Sequence, residues 1–281
     1  MRVLTWLLTA ALVVTALLVG LRLLLPRVVS SFVFFPEPLS PDRTDPSGWG
    51  WPEAEEIRFE AADGTALHGW LFPARGERRG SAIYLHGNAG NVTIRGEAAS
   101  TFAELGLDVL VFDYRGYGAS EGTPNESGLY ADAEGAWTWW VDDRGVDPSE
   151  IVLIGGSLGA AVAVETATRR EVAALVLVVP LPGTKRVARH TYSFLPDFVF
   201  AWETPAFDSV ERVRDVHAPV LIAHATEDHI VPREGARAIA ENAGGPVTWH
   251  ESEGYGHAGA WGDPTLWRAL DGFLGEVLRP E

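Results

Sequence analysis

The feature that most constrains the fold of this chain is the run IVLIGGSLGAA at residues 151–161. Its first four apolar residues are typical of a buried strand, and the small residues after Leu158 favour the start of a helix. Gly155 and Gly159 flank Ser157 in a G-x-S-x-G pattern, and glycine relieves crowding where a backbone turns tightly from strand to helix. The pattern alone arises often by chance, but the strand before it and the helix after it favour Ser157 as an exposed nucleophile.

Around this run, short β-rich segments alternate with longer helical ones, which is typical of a mostly parallel sheet with helices on both faces. The first two strands are predicted to form a hairpin joined by Asp63-Gly64. The predicted strands are 57–61, 67–72, 82–85, 109–112, 151–154, 175–179, 220–223 and 247–250. The predicted helices are 94–105, 129–141, 158–169, 234–242 and 265–278. The sequence therefore predicts an α/β fold with a mostly parallel eight-stranded sheet.

Composition excludes several classes of partner and site. The formal net charge of −16 and the lack of a long Lys/Arg run disfavour binding to nucleic acid. The absence of cysteine excludes disulfides, thiolate metal sites and a cysteine nucleophile, and it leaves the redox compartment open. Histidine and carboxylate residues show no metal-ligand spacing such as H-E-x-x-H. We therefore predict no catalytic metal and no cofactor.

The N-terminus differs from the rest of the chain. No charged residue lies from Val3 to Leu21, and a helix of that length reaches about the 30 Å thickness of a bilayer core. A cleaved secretory signal would have a shorter apolar centre and a small-residue cleavage site, and no clear A-x-A pattern precedes Pro26. A retained anchor is therefore favoured over a cleaved signal. Its orientation stays open because basic residues flank both ends.

These signals divide the chain into a transmembrane anchor at 1–27, a linker at 28–52 and a catalytic domain at 53–281. The linker is rich in Pro, Ser, Gly and aromatic residues, so it is either an extended segment near the membrane or a spacer packed on the domain. An irregular stretch near 181–207 is either a small lid that forms an acyl-binding wall or a helix that covers the sheet edge. Its aromatic residues include Phe194, Phe198, Phe200, Trp202 and Phe207.

A serine hydroxyl is a weak nucleophile at neutral pH, so it needs a histidine base and a carboxylate that orients the base. The predicted acid is Asp228, in the loop TEDHIVP that follows the strand PVLIAHA. Glu227 is its close competitor, and a solvated loop charge is the alternative for both residues. The predicted base is His257, the one histidine after the last strand, in the glycine-flanked loop GYGHAG.

Two backbone N–H groups are needed to stabilise the oxyanion that forms when the serine attacks a carbonyl. The N–H of Leu158, at the start of the helix after the nucleophile, is the first predicted donor. The second is predicted to be that of Asn88, in the loop HGNAGN after the third strand. A Gly/Asn turn that merely leaves the strand is the alternative. His86 is expected to brace this loop rather than to transfer protons.

Together these residues resemble the membrane-anchored branch of the α/β-hydrolase family that includes protein depalmitoylases and monoacylglycerol or lysophospholipid lipases. The resemblance covers residues 55–278 and is carried by Ser157, Asp228, His257, YLHGNAGN at 84–91, FDYRGYGASEGTPNESGLYADA at 112–133 and Val231-Pro232 after the predicted acid. It implies the α/β-hydrolase fold and a structural role for Asp113 and Arg115.

Two positions depart from the pattern of this branch. Gly156 stands where Arg is frequent, and Ala258-Gly259 follow the predicted base where Asn-Asp is more usual. The first departure is expected to loosen the turn or widen the pocket. The second is expected to weaken hydrogen bonds that support the His257 loop. Neither removes a predicted catalytic group.

The residues and the resemblance together predict a serine hydrolase that cleaves a carboxylic ester or thioester of a lipid-like acyl substrate through an acyl-enzyme. A serine peptidase would use the same catalytic residues, and a non-catalytic membrane-tethered binding module would share the fold. Both alternatives stay open. The expected partners are an acyl-ester substrate and a membrane, reached through a single-pass anchor. The acyl length, the head group, the side of the membrane and the oligomeric state are left open.

Overall fold

A computed structural model of the chain describes residues 33–191 and 206–278, with isolated positions at 6, 12, 13, 15, 19, 20 and 194. Most of the predicted anchor at 1–27 and the middle of the predicted lid lie outside the described residues. Across the described ranges, no helix is both long and apolar enough to cross a membrane. The transmembrane anchor therefore stays a prediction from the sequence.

The described strands and helices alternate along most of the chain. The strands are β1 (Phe35–Pro36), β2 (Glu55–Glu60), β3 (Ala66–Phe72), β4 (Gly80–Leu85), β5 (Ala89–Gly90), β6 (Leu107–Asp113), β7 (Ile151–Gly156), β8 (Ala174–Val178), β9 (Val220–Ala225) and β10 (Val247–Ser252). The α-helices are α1 (Gly96–Glu104), α2 (Glu126–Thr138), α3 (Leu158–Ala167), α4 (Thr184–Thr191), α5 (Ser209–Arg212), α6 (Arg233–Asn242) and α7 (Pro264–Val277). Short 3₁₀ segments and one π-helix at Trp139–Asp143 join them.

Eight of these strands form one sheet in the order β10-β9-β8-β7-β4-β6-β3-β2. β3 pairs antiparallel with both β2 and β6, and the other neighbouring pairs are parallel. The β2–β3 hairpin turns at Asp63-Gly64, where Gly64 has a φ of +83°. The predicted mostly parallel, eight-stranded sheet and its opening hairpin are therefore confirmed. β1 and β5 form a separate two-stranded parallel pair, which the sequence did not predict.

Both faces of the central strands are buried, which explains why their sequences are continuous apolar runs rather than alternating ones. Successive residues of β7 point to opposite faces, so that Leu153 packs in one core cluster and Ile154 in the other. Leu129 of α2 belongs to the first cluster, and Phe102 of α1 belongs to the second. The helices thus cover the sheet on both sides and leave the carboxyl ends of the strands for loops.

Element boundaries differ from the predicted ones where the backbone or a cap decides them. β6 begins at Leu107 and β9 continues to Ala225, because strand pairing uses backbone groups that polar residues also possess. The helix predicted from residue 129 begins at Glu126. There the side chain of Asn125 accepts a hydrogen bond from the N–H of Gly128 at 2.9 Å, which satisfies a free donor in the first helical turn.

The described part of the predicted linker packs against the catalytic domain. We call residues 33–39 the strap. Phe34 and Leu39 of the strap are buried, and its strand β1 pairs with β5 in the loop after β4. Further along, the indole Nε1 of Trp70 donates to the carbonyl of Thr44 at 2.7 Å. Whether this segment also lies near a membrane stays a prediction.

Candidate active site

Ser157 stands at a sharp turn between the end of β7 and the start of α3. Its φ is +52° and its ψ is −114°, a conformation that costs a residue other than glycine about 1–3 kcal/mol. A Cβ at Gly155 would lie 2.5 Å from Cα of Ala160, and one at Gly159 would lie 1.9 Å from the carbonyl oxygen of Leu85. Only glycine fits at either position, so the G-x-S-x-G spacing follows from close backbone packing.

The structure brings the predicted nucleophile, base and acid together. His257 Nε2 lies 3.0 Å from Ser157 Oγ, and His257 Nδ1 lies 2.7 Å from Asp228 Oδ2. The Asp228 carboxylate accepts a hydrogen bond from Nδ1–H, so the ring proton stays on Nδ1 and Nε2 is free to accept the proton of the serine hydroxyl. The Asp228 side chain is fully buried and that of His257 is 16% exposed. The arrangement can therefore activate Ser157 by general-base catalysis.

Asp228 is held in its charged form by hydrogen bonds. Its Oδ1 accepts from the N–H groups of Ile230 at 2.8 Å and Val231 at 2.9 Å. Burial raises the pKa of this carboxyl, but the hydrogen bonds from His257 and from the two N–H groups outweigh it and hold the pKa below the ordinary value of an aspartate. The competitor Glu227 is exposed. Asp228, and not Glu227, therefore faces the histidine.

The loop that carries His257 is joined to the loop that carries Asp228. The N–H of Glu227 donates to the carbonyl of Tyr255 at 2.9 Å, and that of Gly254 donates to Thr226 Oγ1 at 3.0 Å. β9 and β10 are parallel neighbours, so their following loops meet at the same edge of the sheet. These contacts support the loop from the β9 side, while the expected effect of Ala258-Gly259 stays a prediction.

Gly156 lies next to an aromatic side chain that the sequence interpretation did not consider. A Cβ at Gly156 would lie 3.3 Å from Cζ2 of Trp261, whose indole also packs on Tyr84 and Phe102. The Trp261 side chain therefore lies beside this position, and the expectation of a looser turn or wider pocket at Gly156 stays a prediction. Trp261 follows the predicted base by four residues, and this nearness was the signal that the sequence interpretation missed.

The loop with the second predicted oxyanion donor lies beside the nucleophile. A Cβ at Gly87 would lie 3.7 Å from Cβ of Ser157. Among the described residues, no acceptor pairs with the N–H of Asn88. Leu158 is the first residue of α3, so its N–H belongs to the free donors at a helix N-terminus. Assignment of the Asn88 and Leu158 N–H groups as oxyanion donors stays a prediction.

His86 braces this loop from the inside. Its Nδ1 donates to the carbonyl of Gly87 at 2.6 Å, and its ring packs against those of Tyr114 and Tyr117. Burial, helped by the positive charge of Arg95, lowers the pKa of His86 to about 3. A neutral imidazole that hydrogen bonds its own loop fits the predicted bracing role.

Asp113 and Arg115 connect the loop after β6 to its surroundings. Buried Asp113 accepts from the N–H of Val92 at 2.8 Å. The Arg115 guanidinium donates to Asp132 Oδ1 at 2.9 Å and to Asp63 Oδ2 at 2.8 Å. These contacts agree with the structural role that the resemblance implies. In the parts of the chain that the structure describes, no three His, Asp or Glu side chains are grouped to hold a metal ion.

A mostly parallel sheet that carries a serine on a strand-to-helix elbow is the arrangement of the α/β-hydrolases. A family model described as "alpha/beta hydrolase fold" matches residues 83–212. An uncharacterized protein of Mycobacterium tuberculosis is 40% identical over 222 residues, which cover 79% of this chain and 76% of that protein. The chain belongs to the α/β-hydrolase family, and family membership supports hydrolase activity.

Two further comparisons extend this result. Alpha/beta hydrolase domain-containing protein 17B of Homo sapiens is 35% identical over 179 residues, which cover 62% of this chain and 59% of that protein. The solved structure of the Pyrococcus furiosus esterase Pf2001 is similar with a TM-score of 0.67 at 19% identity, and the match covers 87% of this chain and 100% of that one. At this identity the structural likeness shows the fold alone.

Proposed function

We propose that this protein is a serine hydrolase that cleaves a carboxylic ester or thioester of a lipid-like acyl substrate. The observation that carries the proposal is the continuous hydrogen-bond chain from Asp228 through His257 to Ser157. A buried carboxylate, a histidine and a serine hydroxyl in this geometry are the groups that acyl transfer to water requires. The α/β-hydrolase family and the esterase among its structural neighbours add support for an ester substrate.

In the proposed mechanism, Ser157 Oγ attacks the acyl carbonyl while His257 Nε2 takes the hydroxyl proton. The N–H groups of Asn88 and Leu158 stabilise the negative oxygen of the tetrahedral intermediate. His257 then returns the proton to the leaving alcohol or thiol, and the acyl group stays on the serine. A water molecule, deprotonated by His257, attacks the acyl-enzyme and releases the acid. Asp228 orients the ring and stabilises the imidazolium at each step.

The lipid-like character of the substrate is supported by apolar residues at two places. Ile230 is 57% exposed, and its N–H binds the carboxylate of Asp228, so this side chain lies close to the proposed catalytic groups. Ile94 is 62% exposed and borders the loop that holds Asn88. The uncharged sequence from Val3 to Leu21 suits a single-pass N-terminal anchor in the membrane that supplies such a substrate.

The proposal is tested with p-nitrophenyl esters of increasing acyl length and with a fluorophosphonate probe on the full-length protein in detergent. We expect ester turnover that rises with chain length, and covalent labelling at Ser157. Ser157→Ala is expected to abolish both, whereas the matched change at exposed Ser127 leaves both within about twofold of wild type.

Three outcomes would contradict parts of this proposal. Full activity in Ser157→Ala removes the serine mechanism. Turnover of aminoacyl-nitroanilides without turnover of esters favours a serine peptidase. Absence of labelling at Ser157 in folded protein favours a non-catalytic binding module. A thermal unfolding curve for each variant establishes that the protein tested is folded.

A further inference from the structure

The strap is hydrogen bonded to the loop that holds the proposed oxyanion donor. The carbonyl oxygen of Asn88 accepts from the N–H of Phe35 at 2.9 Å and from the Tyr117 hydroxyl at 2.8 Å. The side-chain Nδ2 of Asn88 donates back to the carbonyl of Val33 at 3.0 Å. A single loop residue is thus held on both its main chain and its side chain, and two of the three partners come from the strap.

The same segment continues along two loops of the domain. The N–H of Glu37 donates to the carbonyl of Gly90 at 3.4 Å, and Asn91 Nδ2 donates to the carbonyl of Glu37 at 3.1 Å. The N–H of Leu39 donates to the carbonyl of Gly118 at 2.8 Å, in the loop that also carries Tyr117. The strap therefore joins the loop after β4 to the loop after β6.

These bonds restrict the two peptide groups on either side of the Asn88 Cα atom. The preceding peptide contains the Asn88 N–H, and its carbonyl, on Gly87, is held by His86 Nδ1 at 2.6 Å. The following peptide contains the Asn88 carbonyl, which Phe35 and Tyr117 hold. With both peptide planes held, the φ and ψ angles of Asn88 have little freedom. The direction of its N–H is then set jointly by His86 on the inside and by the strap on the outside.

Packing joins the strap to a third segment of the domain. Buried Phe34 packs edge-to-face on Phe207, with ring centroids 6.1 Å apart. The N–H groups of Ala206 and Phe207 donate to the carboxylate of Glu126 on α2 at 2.6 and 2.8 Å. The strap is thus fixed between the Asn88 loop and the chain that returns from the predicted lid.

We propose that the strap is a positioning element of the oxyanion hole, and that the Phe35 N–H orients the Asn88 N–H through the Asn88 carbonyl. This inference rests on the proposed function, because it takes the Asn88 N–H as a donor to the oxyanion. Oxyanion stabilisation is a transition-state interaction, so loosening this donor lowers kcat and leaves ground-state binding of the ester largely intact. Turnover thereby depends on a segment that lies outside the sheet and continues from the N-terminal region.

The test compares Phe35→Pro with Phe35→Ala in the full-length protein. Both variants lose the aromatic ring, but only proline loses the backbone N–H. We expect kcat of Phe35→Pro to lie at least about 10-fold below that of Phe35→Ala, because removal of a whole oxyanion donor lowers kcat by about 10²–10³. The KM values of the two variants are expected to agree within about twofold. Affinity for a trifluoromethyl ketone, which forms a tetrahedral adduct with the serine, is expected to fall in parallel.

Tyr117→Phe supplies a second variant within the domain, because it removes the other donor to the Asn88 carbonyl and keeps the buried ring. We expect Tyr117→Phe to have a lower kcat than wild type, as Phe35→Pro does. This variant tests the inference if Phe35→Pro does not fold. The inference would be overturned if folded Phe35→Pro and Phe35→Ala had equal kcat. If the proline variant is unfolded, a wild-type kcat in Tyr117→Phe would overturn it. If the wild-type protein does not turn over esters, the proposed function itself is contradicted.

Discussion

The nucleophile and the proposed oxyanion loop are held in different ways. Ser157 follows a fully buried strand, and the glycines around it touch the backbone of Leu85 and Ala160. Asn88 is held by hydrogen bonds from Phe35 and Tyr117, and Phe35 belongs to a segment 53 residues earlier in the sequence. Core packing therefore sets the position of the attacking atom, whereas long-range hydrogen bonds set the position of the group that stabilises the transition state.

The largest expected effect in this comparison is that of Asp228→Asn, which changes the hydrogen-bonded partner of the base that serves Ser157. An amide cannot hold His257 in the tautomer that leaves Nε2 free, so we expect kcat on a p-nitrophenyl ester to fall by about 10⁴. Glu227→Gln, a matched change on the exposed neighbour, is expected to stay within about twofold of wild type. A comparable loss in both variants would mean that the wrong carboxylate has been assigned.

A smaller effect is expected from Gly156→Arg, which tests how tightly the elbow is packed. A Cβ at this position would lie 3.3 Å from Cζ2 of Trp261, so a longer side chain must displace the indole, and we expect a loss of about 1–3 kcal/mol in the free energy of unfolding by urea. Trp261→Ala in the same chain removes the obstacle, so the two changes are expected to be non-additive. The control is Gly272→Arg, where a Cβ meets nothing within 4 Å. Additive losses would show that Trp261 does not limit the space at Gly156.

Backbone strain at Ser157 is a further property of the elbow that can be measured. Ser157→Gly and Ser157→Ala both lose the hydroxyl, but only glycine adopts a φ of +52° without a Cβ penalty. We expect Ser157→Gly to be more stable than Ser157→Ala by about 1 kcal/mol in urea unfolding, after allowance for the greater unfolded-state entropy of glycine. Equal stabilities would indicate that the elbow relaxes around alanine.

The smallest expected effect is a pH dependence of stability at Asp228. Hydrogen bonds hold the folded-state pKa of Asp228 below its ordinary value, so the carboxylate contributes stability that is present above the unfolded pKa and is lost as pH falls through the folded pKa. The difference in thermal midpoint between wild type and Asp228→Asn is therefore expected to shrink as pH falls from about 6 to about 3. A difference that stays constant over this range would contradict the charged, hydrogen-bonded state of Asp228.

Much of the sheet could be predicted from the sequence because its central strands are continuous apolar runs. β4, β7 and β9 lie where the apolar runs predicted them, with ends extended by backbone pairing. The pair β1–β5 could not be predicted, since two residues in each strand carry no periodic pattern. Contacts of this kind depend on which distant segments the fold brings side by side.

In the candidate site, too, some residues could be predicted from local sequence and others depend on contacts between distant segments. Ser157 could be located from its neighbouring residues in the sequence, because the elbow needs glycine at fixed spacing around it. The choice between Asp228 and Glu227 needed the tertiary structure, because adjacent residues on a loop point in different directions. Trp261 beside Gly156 was not foreseen, because an indole that fills a gap leaves no spacing pattern.

The sequence alone was sufficient to predict the order along the chain of the eight strands of the main sheet and of five of the helices, the elbow, and the candidate residues for nucleophile, base and acid, since each depends on local patterns of burial and backbone freedom. The tertiary structure decided which carboxylate meets His257, what occupies the space beside Gly156, and that the strap holds the Asn88 loop. Those contacts join residues far apart in the chain, and only the folded backbone brings their hydrogen-bonding groups within reach of one another.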